Sequence, residues 1–453
     1  MDLNEKLGEY LCEKLNINSS TNYEIKRINA MDLLTLSRID VISKYLYLKY
    51  KCENIKSDLA EKIYQEHIKA FSEGSFVEPG SKTKTSYNAY VEEFMNLYED
   101  IKINGFDKNK SLIPVGNNDV ILDGAHRVAI LAYLNRDVDI VKFTDISGTI
   151  YDYKFFKKRQ VNIEYLETLI LNYCLLKNKN IYVICIWPMA TKVGNIEQVE
   201  KLIKEYSNIL YTKTYKFSYN ALENFIYQVY NGQDFVKNKF KLCYANSNTI
   251  FYCIEGGELE KILELKDKIR NIYKIEKHSV HITDTYEEAK QVLNIILNKN
   301  SLDFLDIGMP NKYKKFMKLL SENYNEQSNT SVLKPEYTLA IYGVKEPEIY
   351  KHYSNFFINQ DALNFDITND IRNYFIFDNI KFLTPNIAIQ LDKSENIKFY
   401  KRINRNRINI LDRIKSIFEN LVYKLKIVLK KILKKIGILE IVVKMKNELL
   451  KKK

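Results

Sequence analysis

The sequence predicts a multidomain α/β protein, in the looser α+β sense. The chain has 453 residues, too many for a single hydrophobic core. Apolar residues make up 46% and charged residues 28%, with only 14 Gly and 7 Pro, which favours packed helices and strands over long linkers. Stretches with apolar residues at three- and four-residue spacing alternate with short continuous apolar runs, the patterns of amphipathic helices and buried strands.

Residues 1–69 are expected to be a helical region, because "MDLLTLSRIDVISKYLYLKYK" and "SDLAEKIYQEHIKAF" both have helical spacing. Residues 70–160 form the next unit. It starts with the loop "SEGSFVEPGSKTKTS", broken by Gly74, Pro79 and Gly80. "YNAYVEEFMNLYEDIKINGF" is an amphipathic helix ending near Gly105. "SLIPV" and "DVILDG" are short strands around the "GNND" turn, and "VDIVKFTD" is a further strand. Residues 161–320 form a middle α/β domain, in which the helix "IEYLETLILNYCLLK" leads into the buried strand "IYVICIW". After the polar stretch "SENYNEQSNTS", residues 321–410 form a third unit with strands "YTLAIYG", "YFIFDN" and "IKFLTP". Residues 411–453 are a basic amphipathic tail.

Composition narrows the function. Cys12, Cys52, Cys174, Cys185, Cys243 and Cys253 include no CxxC pair, which argues for reduced thiols and against a zinc ribbon or disulfide framework. "MDLNEKLGEYL" has no basic segment followed by an apolar core, and no uncharged apolar run is long enough to span a membrane. A cytoplasmic chain is therefore expected. The net charge is +12, but residues 411–453 carry 13 Lys or Arg against 4 Asp or Glu, so most of it lies in the tail. The nearly neutral body argues against nucleic acid as a partner. Neither a GxxxxGK loop nor a GxGxxG fingerprint occurs.

The most informative stretch is "VILDGAHRVAILAYL", Val120–Leu134. A strand, a tight turn and a helix start make a good phosphate site, since the first helical turn offers unpaired N–H groups and a favourable dipole. Gly124 allows close backbone approach. Arg127 can hold a phosphate oxygen in two places. His126 can donate to a phosphate or move a proton. Asp123, at the cap position, could hold a metal or orient a hydroxyl. In the alternative reading Asp123 only caps the helix, and His126 and Arg127 are solvated.

"NGFDKNKSLIPVGNNDVILDGAHRVAILAYL" resembles the core of the ParB/sulfiredoxin fold, over roughly residues 70–145. The "DG-HR" turn is similar to that of the free-serine kinases of this superfamily. Ala125 stands where sulfiredoxins carry their reactive Cys, which argues against sulfinic-acid reduction. The resemblance implies that Gly124, Ala125, His126 and Arg127 bind nucleotide phosphates. It also implies that a Glu upstream is the general base for the acceptor hydroxyl; "FVEPGSK" supplies Glu78, with Glu73 as the competing base. Lys82 and Arg127 would supply charge, and Asp123 would hold Mg²⁺. The expected activity is a small-molecule kinase using ATP (or ADP or CTP). Its acceptor would be a hydroxy amino acid, polyol or sugar in surface-glycan assembly. The alternatives are a nucleotide-gated ParB-like binder without chemistry, or a nucleotidyltransferase acting through the C-terminal units.

Other candidates are weaker. His278 and His281, in "KHSVHITDTYEEAK", are expected on opposite faces of one strand, which argues against a shared metal. Thr285 and Glu288 have capping-box spacing beside Asp284, and Lys268 and Arg270 could make this region basic. The third unit resembles nucleotidyltransferase-like proteins of surface-polysaccharide loci. The paired acids expected after "IYG" are replaced by Glu346-Pro-Glu348, so that unit would be degenerate, with Asp366 and Asp370 as fallback acids. In the tail, apolar residues from Leu421 to Ile436 form one stripe and lysines fill the other face. This is the pattern of a helix lying on an anionic membrane, here through residues 421–453.

Overall fold

A computed structural model describes residues 3–78, 83–177, 180–230, 233, 235–323, 331–344, 357–358, 363–392 and Ile432. The chain is a multidomain α/β protein, with three sheets among the described residues. Apart from Ile432, the membrane stripe in the tail lies outside the described residues, as do Glu346, Glu348 and Lys82.

The first sheet has the order β1-β3-β2. Around it run β1 (Tyr23–Asn29), α1 (Ile39–Cys52), α2 (Leu59–Phe71), α3 (Tyr87–Asn104), β2 (Ile113–Val115), α4 (Ala125–Tyr133) and β3 (Asp137–Phe143). β1 lies antiparallel to β3, and β2 parallel to it. β1 corrects the expectation of an all-helical start. It is an edge strand whose Glu24, Lys26 and Arg27 face water, so it shows no apolar alternation. "DVILDG" is also not a strand: it makes only the single bridge Val115↔Ile121. Val41, Tyr47, Tyr64, Phe94, Ile113, Val128 and Leu131 join these elements in one buried core.

The middle unit begins with α5 (Ile163–Lys177) and β4 (Ile181–Ile186). It continues with α6 (Ile196–Tyr206), β5 (Ser207–Tyr215), α7 (Tyr219–Val229), α8 (Val236–Cys243), β6 (Thr249–Gly256), α9 (Leu259–Tyr273) and β7 (Val280–Ile282). The sheet order is β5-β6-β4-β7, antiparallel throughout. This is the ferredoxin-like interleaving of two split β-α-β units, with α7 and α8 inserted between β5 and β6. Val183, Cys185, Phe251 and Cys253 are buried on one face; Tyr182, Ile184, Tyr252 and Ile254 are buried on the other. A strand covered on both faces needs no polar alternation, which is why "IYVICIW" is apolar throughout.

Helices α10 (Tyr286–Ile296), α11 (Lys299–Ile307) and α12 (Pro335–Ile341) precede a hairpin of β8 (Tyr374–Phe377) and β9 (Ile380–Leu383). "YTLAIYG" is therefore a helix and not a strand. Pro335 starts it at a helical N-terminal position, and Tyr337–Ile341 are all buried, which removes the period that separates helix from strand. Asp378 and Asn379 turn the hairpin with φ of 53° and 58°, as a two-residue turn of the primed type requires. The hydrophobic core does not stop at residue 320. One cluster contains Ile63, Leu169 and Phe225 together with Phe304, Leu339, Phe375 and Leu383. Tyr50 donates to the Asn369 carbonyl at 2.8 Å, and Arg372 pairs with Asp58 at 2.6 Å, tying the hairpin region to α1 and α2. Asp366 and Asp370 are occupied structurally: Asp366 accepts from the N–H groups of Thr368 (2.8 Å) and Asn369 (2.6 Å), and Asp370 from Ser57 Oγ (2.6 Å). Among the described residues no helix is long and apolar enough to cross a membrane.

Candidate functional site

Helix α4 starts at Gly124, which has φ of 84° and serves as the N-cap. A Cβ there would lie 2.9 Å from Arg127 Nη2 and 2.9 Å from Ile113 Cδ1, so the turn needs glycine both for its backbone and for its space. Asp123 is not the cap. Its half-exposed carboxylate pairs with Arg127 Nη2 at 3.0 Å, one turn along the helix. Arg127 also donates to Ser111 Oγ. No side chain caps α4 at its N-cap.

This turn forms one wall of a cleft of about 860 Å³. Glu78 and Lys84, from the loop between α2 and α3, line the same cleft as Asp123, Gly124, Ala125, His126 and Arg127. Lys84 Nζ lies 2.7 Å from Glu78 Oε2 and 3.9 Å from Glu93 Oε2. The Glu78 N–H donates to the Lys84 carbonyl at 3.1 Å, closing the loop on itself. Glu73 does not line the cleft. Its side chain, 82% exposed, pairs with Arg159 at 3.6 Å.

His126 is not a solvated cation. Its Nε2 lies 2.8 Å from Tyr64 Oη, and its ring stands edge-on to Phe94 with centroids 4.6 Å apart. Burial, then the charges of Lys44 and Lys84, push it well below the usual histidine range. The imidazole is therefore neutral near pH 7. If the phenol donates to Nε2, then Nδ1–H is a donor; in the other tautomer Nδ1 is an acceptor.

Sequence reasoning missed the most heavily buried part of the cleft. Arg38, Asp40 and Lys44 are 6%, 1% and 5% exposed. Arg38 meets Asp40 in two parallel bonds, Nε–Oδ1 at 2.8 Å and Nη2–Oδ2 at 3.0 Å, and also donates to the Ile121 carbonyl at 2.5 Å. Lys44 Nζ bonds Asp40 Oδ2 at 3.2 Å. Two cations share one carboxylate, so the triad carries one net positive charge inside the protein. Burial raises the Asp40 carboxyl, but Arg38 and Lys44 more than offset this and hold it far below the usual carboxylate range. The available signal was "RIDVISK": an Asp and a Lys at i, i+4 within an otherwise apolar helix. Glu93 was missed as well. Its Oε1 is buried and has no hydrogen-bond partner among the described residues.

The histidine pair is placed differently from expectation. His278 ends a 3₁₀ turn, Glu276–His278, and only His281 lies on β7. Thr285 caps α10 by accepting from the Glu288 N–H at 3.2 Å, while Glu288 accepts from the Asp284 N–H at 2.8 Å. Lys268 is exposed and paired with Glu264 at 2.9 Å. Among the described residues no group of three or more His, Cys, Asp or Glu converges as a metal cage.

The fold and site define a multidomain α/β protein with a charged cleft at a glycine-capped helix start. No family model and no curated protein matches the chain. Among solved structures it is similar to the nucleoside diphosphate kinase of Aquifex aeolicus, at 16% identity over 25% of this chain and 92% of that one. The TM-score is 0.21, too low to define fold or activity.

Proposed function

We propose that the chain is a nucleotide-dependent phosphotransferase of the ParB/sulfiredoxin-like kinase type. Its acceptor is the hydroxyl of a hydroxy amino acid, polyol or sugar. The observation that carries this reading is that Glu78 and the Gly124–Arg127 turn line one cleft, beside buried net positive charge from Arg38 and Lys44. Glu78 takes the hydroxyl proton. The acceptor oxygen bonds the terminal phosphorus as the bond from that phosphorus to its bridging oxygen breaks. The shortened nucleotide leaves with the electron pair. Arg127, the N–H groups of the first α4 turn and the buried cation pair hold the phosphate charge. Asp123 is a single accessible carboxylate, which fits Mg²⁺ bound chiefly through phosphate oxygens and water. When bound, that ion would neutralise charge between the phosphates.

Arg127→Ala is expected to weaken nucleotide binding about ten- to hundredfold, the range for charge-assisted hydrogen bonds. Melting should change little, because the Asp123 partner is half exposed. Calorimetric titration with ATP, ADP and CTP measures the effect, and unchanged affinity for all three would remove the assignment.

The tail extends the proposal to a membrane surface. Truncation after Ile410 should leave the cleft intact and abolish co-sedimentation with anionic vesicles. Full-length binding should weaken as salt rises and keep a salt-resistant remainder from the apolar stripe. Equal vesicle binding by both forms would remove the membrane partner.

A further inference from the structure

At the open edge of the four-stranded sheet, β7 carries His281. The side chain is 7% exposed, and its imidazole has no hydrogen-bond partner among the described residues. Val280 and Ile282 belong to the core on the α9 side of the sheet. His281 therefore projects to the other side, where the ring of Tyr230 stands edge-on with centroids 5.2 Å apart. Lys239 of α8 lies over that same Tyr230 ring at 5.5 Å, and its ammonium donates to the Lys277 carbonyl. From α9, Lys266 donates to the Ile282 carbonyl at 3.0 Å and pairs with Asp284 at 2.8 Å. One turn along, Arg270 Nη1 meets Asp267 at 2.9 Å, while its buried Nε has no partner among the described residues. His278 Nδ1, beside the same edge, is likewise buried and unpartnered.

The cluster is under-neutralised. Burial first, then Lys266, Lys239 and Arg270, push the His281 imidazole down to about 3. Burial, together with Arg270, Lys277 and Lys266, also draws Lys239 below its ordinary value, partly offset by Cys243. The neighbouring carboxylates Asp284 and Asp267 are 45% and 73% exposed and each already holds one cation. Glu276 acts on His278. Lys239 is in no ion pair among the described residues, and its ammonium donates to the Lys277 carbonyl. Buried cations without a counter-charge are costly, and an anion seated among them removes that cost.

We propose that Lys239, Lys266, Arg270 and His281 form a binding site for a phosphorylated small molecule. None of these residues lines the cleft at α4, so the site stands whether or not the kinase reading does. Three cations and an imidazole come from α8, α9 and β7. A doubly charged tetrahedral oxyanion has enough acceptors for the ammonium of Lys239, the free Nε–H of Arg270 and a ring N–H of His281. A single carboxylate has half that charge and only two oxygens.

The test uses the full chain carrying Arg127→Ala, which removes one of the phosphate ligands proposed for the cleft and weakens binding there, and inorganic pyrophosphate as probe. Calorimetry should still register binding in this background. Adding Lys239→Met or Arg270→Gln should weaken it at least about tenfold. Without pyrophosphate, Lys239→Met should melt no lower than its parent, because it removes an uncompensated buried cation and keeps the apolar stem. The pyrophosphate-induced rise in melting temperature should disappear. In histidine-labelled protein the His281 resonance, assigned by its loss in His281→Gln, should move on addition of pyrophosphate. Malonate should compete poorly. The proposal is overturned if the Arg127→Ala chain binds no pyrophosphate, if Lys239→Met and Arg270→Gln leave its affinity unchanged, or if malonate binds as tightly.

Discussion

Glu78→Gln should lower turnover by about 10²- to 10⁴-fold, the contribution expected of a general base, while nucleotide affinity stays at the wild-type value. Gln keeps the volume of Glu and loses only the proton acceptor. It also breaks the 2.7 Å contact with Lys84, but Glu78 is 41% exposed and such pairs contribute about 1 kcal/mol or less. The melting temperature should therefore hardly move. Lys84 retains Glu93 at 3.9 Å, so the loop has a second anchor. The kinetic signature is a fall in kcat and kcat/KM together with little change in KM, read by single-turnover phosphorylation of candidate alcohols. A near-wild-type rate would move the base elsewhere. Glu93, with a buried unpartnered oxygen on the same cleft, would be the next carboxylate to replace. Nucleotide binding without transfer to any acceptor, in wild type as in the variant, would favour a binding protein without chemistry.

How much of this site was legible depended on the range of the signal. Gly124 and Arg127 are readable because the turn is local: a glycine before a helix, then an arginine one turn in. Glu78 is readable only through resemblance, since nothing in "FVEPG" itself fixes its distance from residue 124. The Arg38–Asp40–Lys44 triad was hidden for a different reason. Charged residues on a helix usually mark its wet face, so their burial shows only in the fold, where Arg38 lies over the Tyr151 ring at 5.2 Å and Lys44 over the Phe71 ring of α2 at 5.9 Å. The edge strand β1 was missed because its pattern is polar and its partner β3 begins only at Asp137. The α12 error has the opposite origin: in "YTLAIYG" every position is apolar or buried, so no period survives. The alternating and continuous runs of β4, β8 and β9 were read correctly because turn residues bound them closely.

Asp40→Ala should destabilise the unit built on α1–α4 by about 3–5 kcal/mol, the cost of breaking a buried ion pair. The loss leaves Arg38 and Lys44, 6% and 5% exposed, facing each other without a counter-charge. Removing all three charges is a different experiment. The combined Arg38→Met, Asp40→Leu, Lys44→Met variant should be about as stable as wild type, or more so, because no buried charge remains. It should nevertheless lose nucleotide affinity if the net positive charge of the triad holds phosphate. The pH dependence follows from the direction of the Asp40 shift. Its carboxyl is held far below its ordinary value of 3.8 in the folded chain. Its stabilising contribution is therefore complete above about pH 4 and is lost as the pH falls further toward the folded value. Wild type and Asp40→Ala should thus differ most above pH 4 and converge below it. Hydrogen–deuterium exchange of the α1 amides across pH 3–7, beside calorimetric melting, measures both effects. A constant gap between the two proteins through that window would show that the Asp40 charge is not what holds the triad. A triple variant as unstable as Asp40→Ala would mean that packing around α1, and not charge balance, sets the loss.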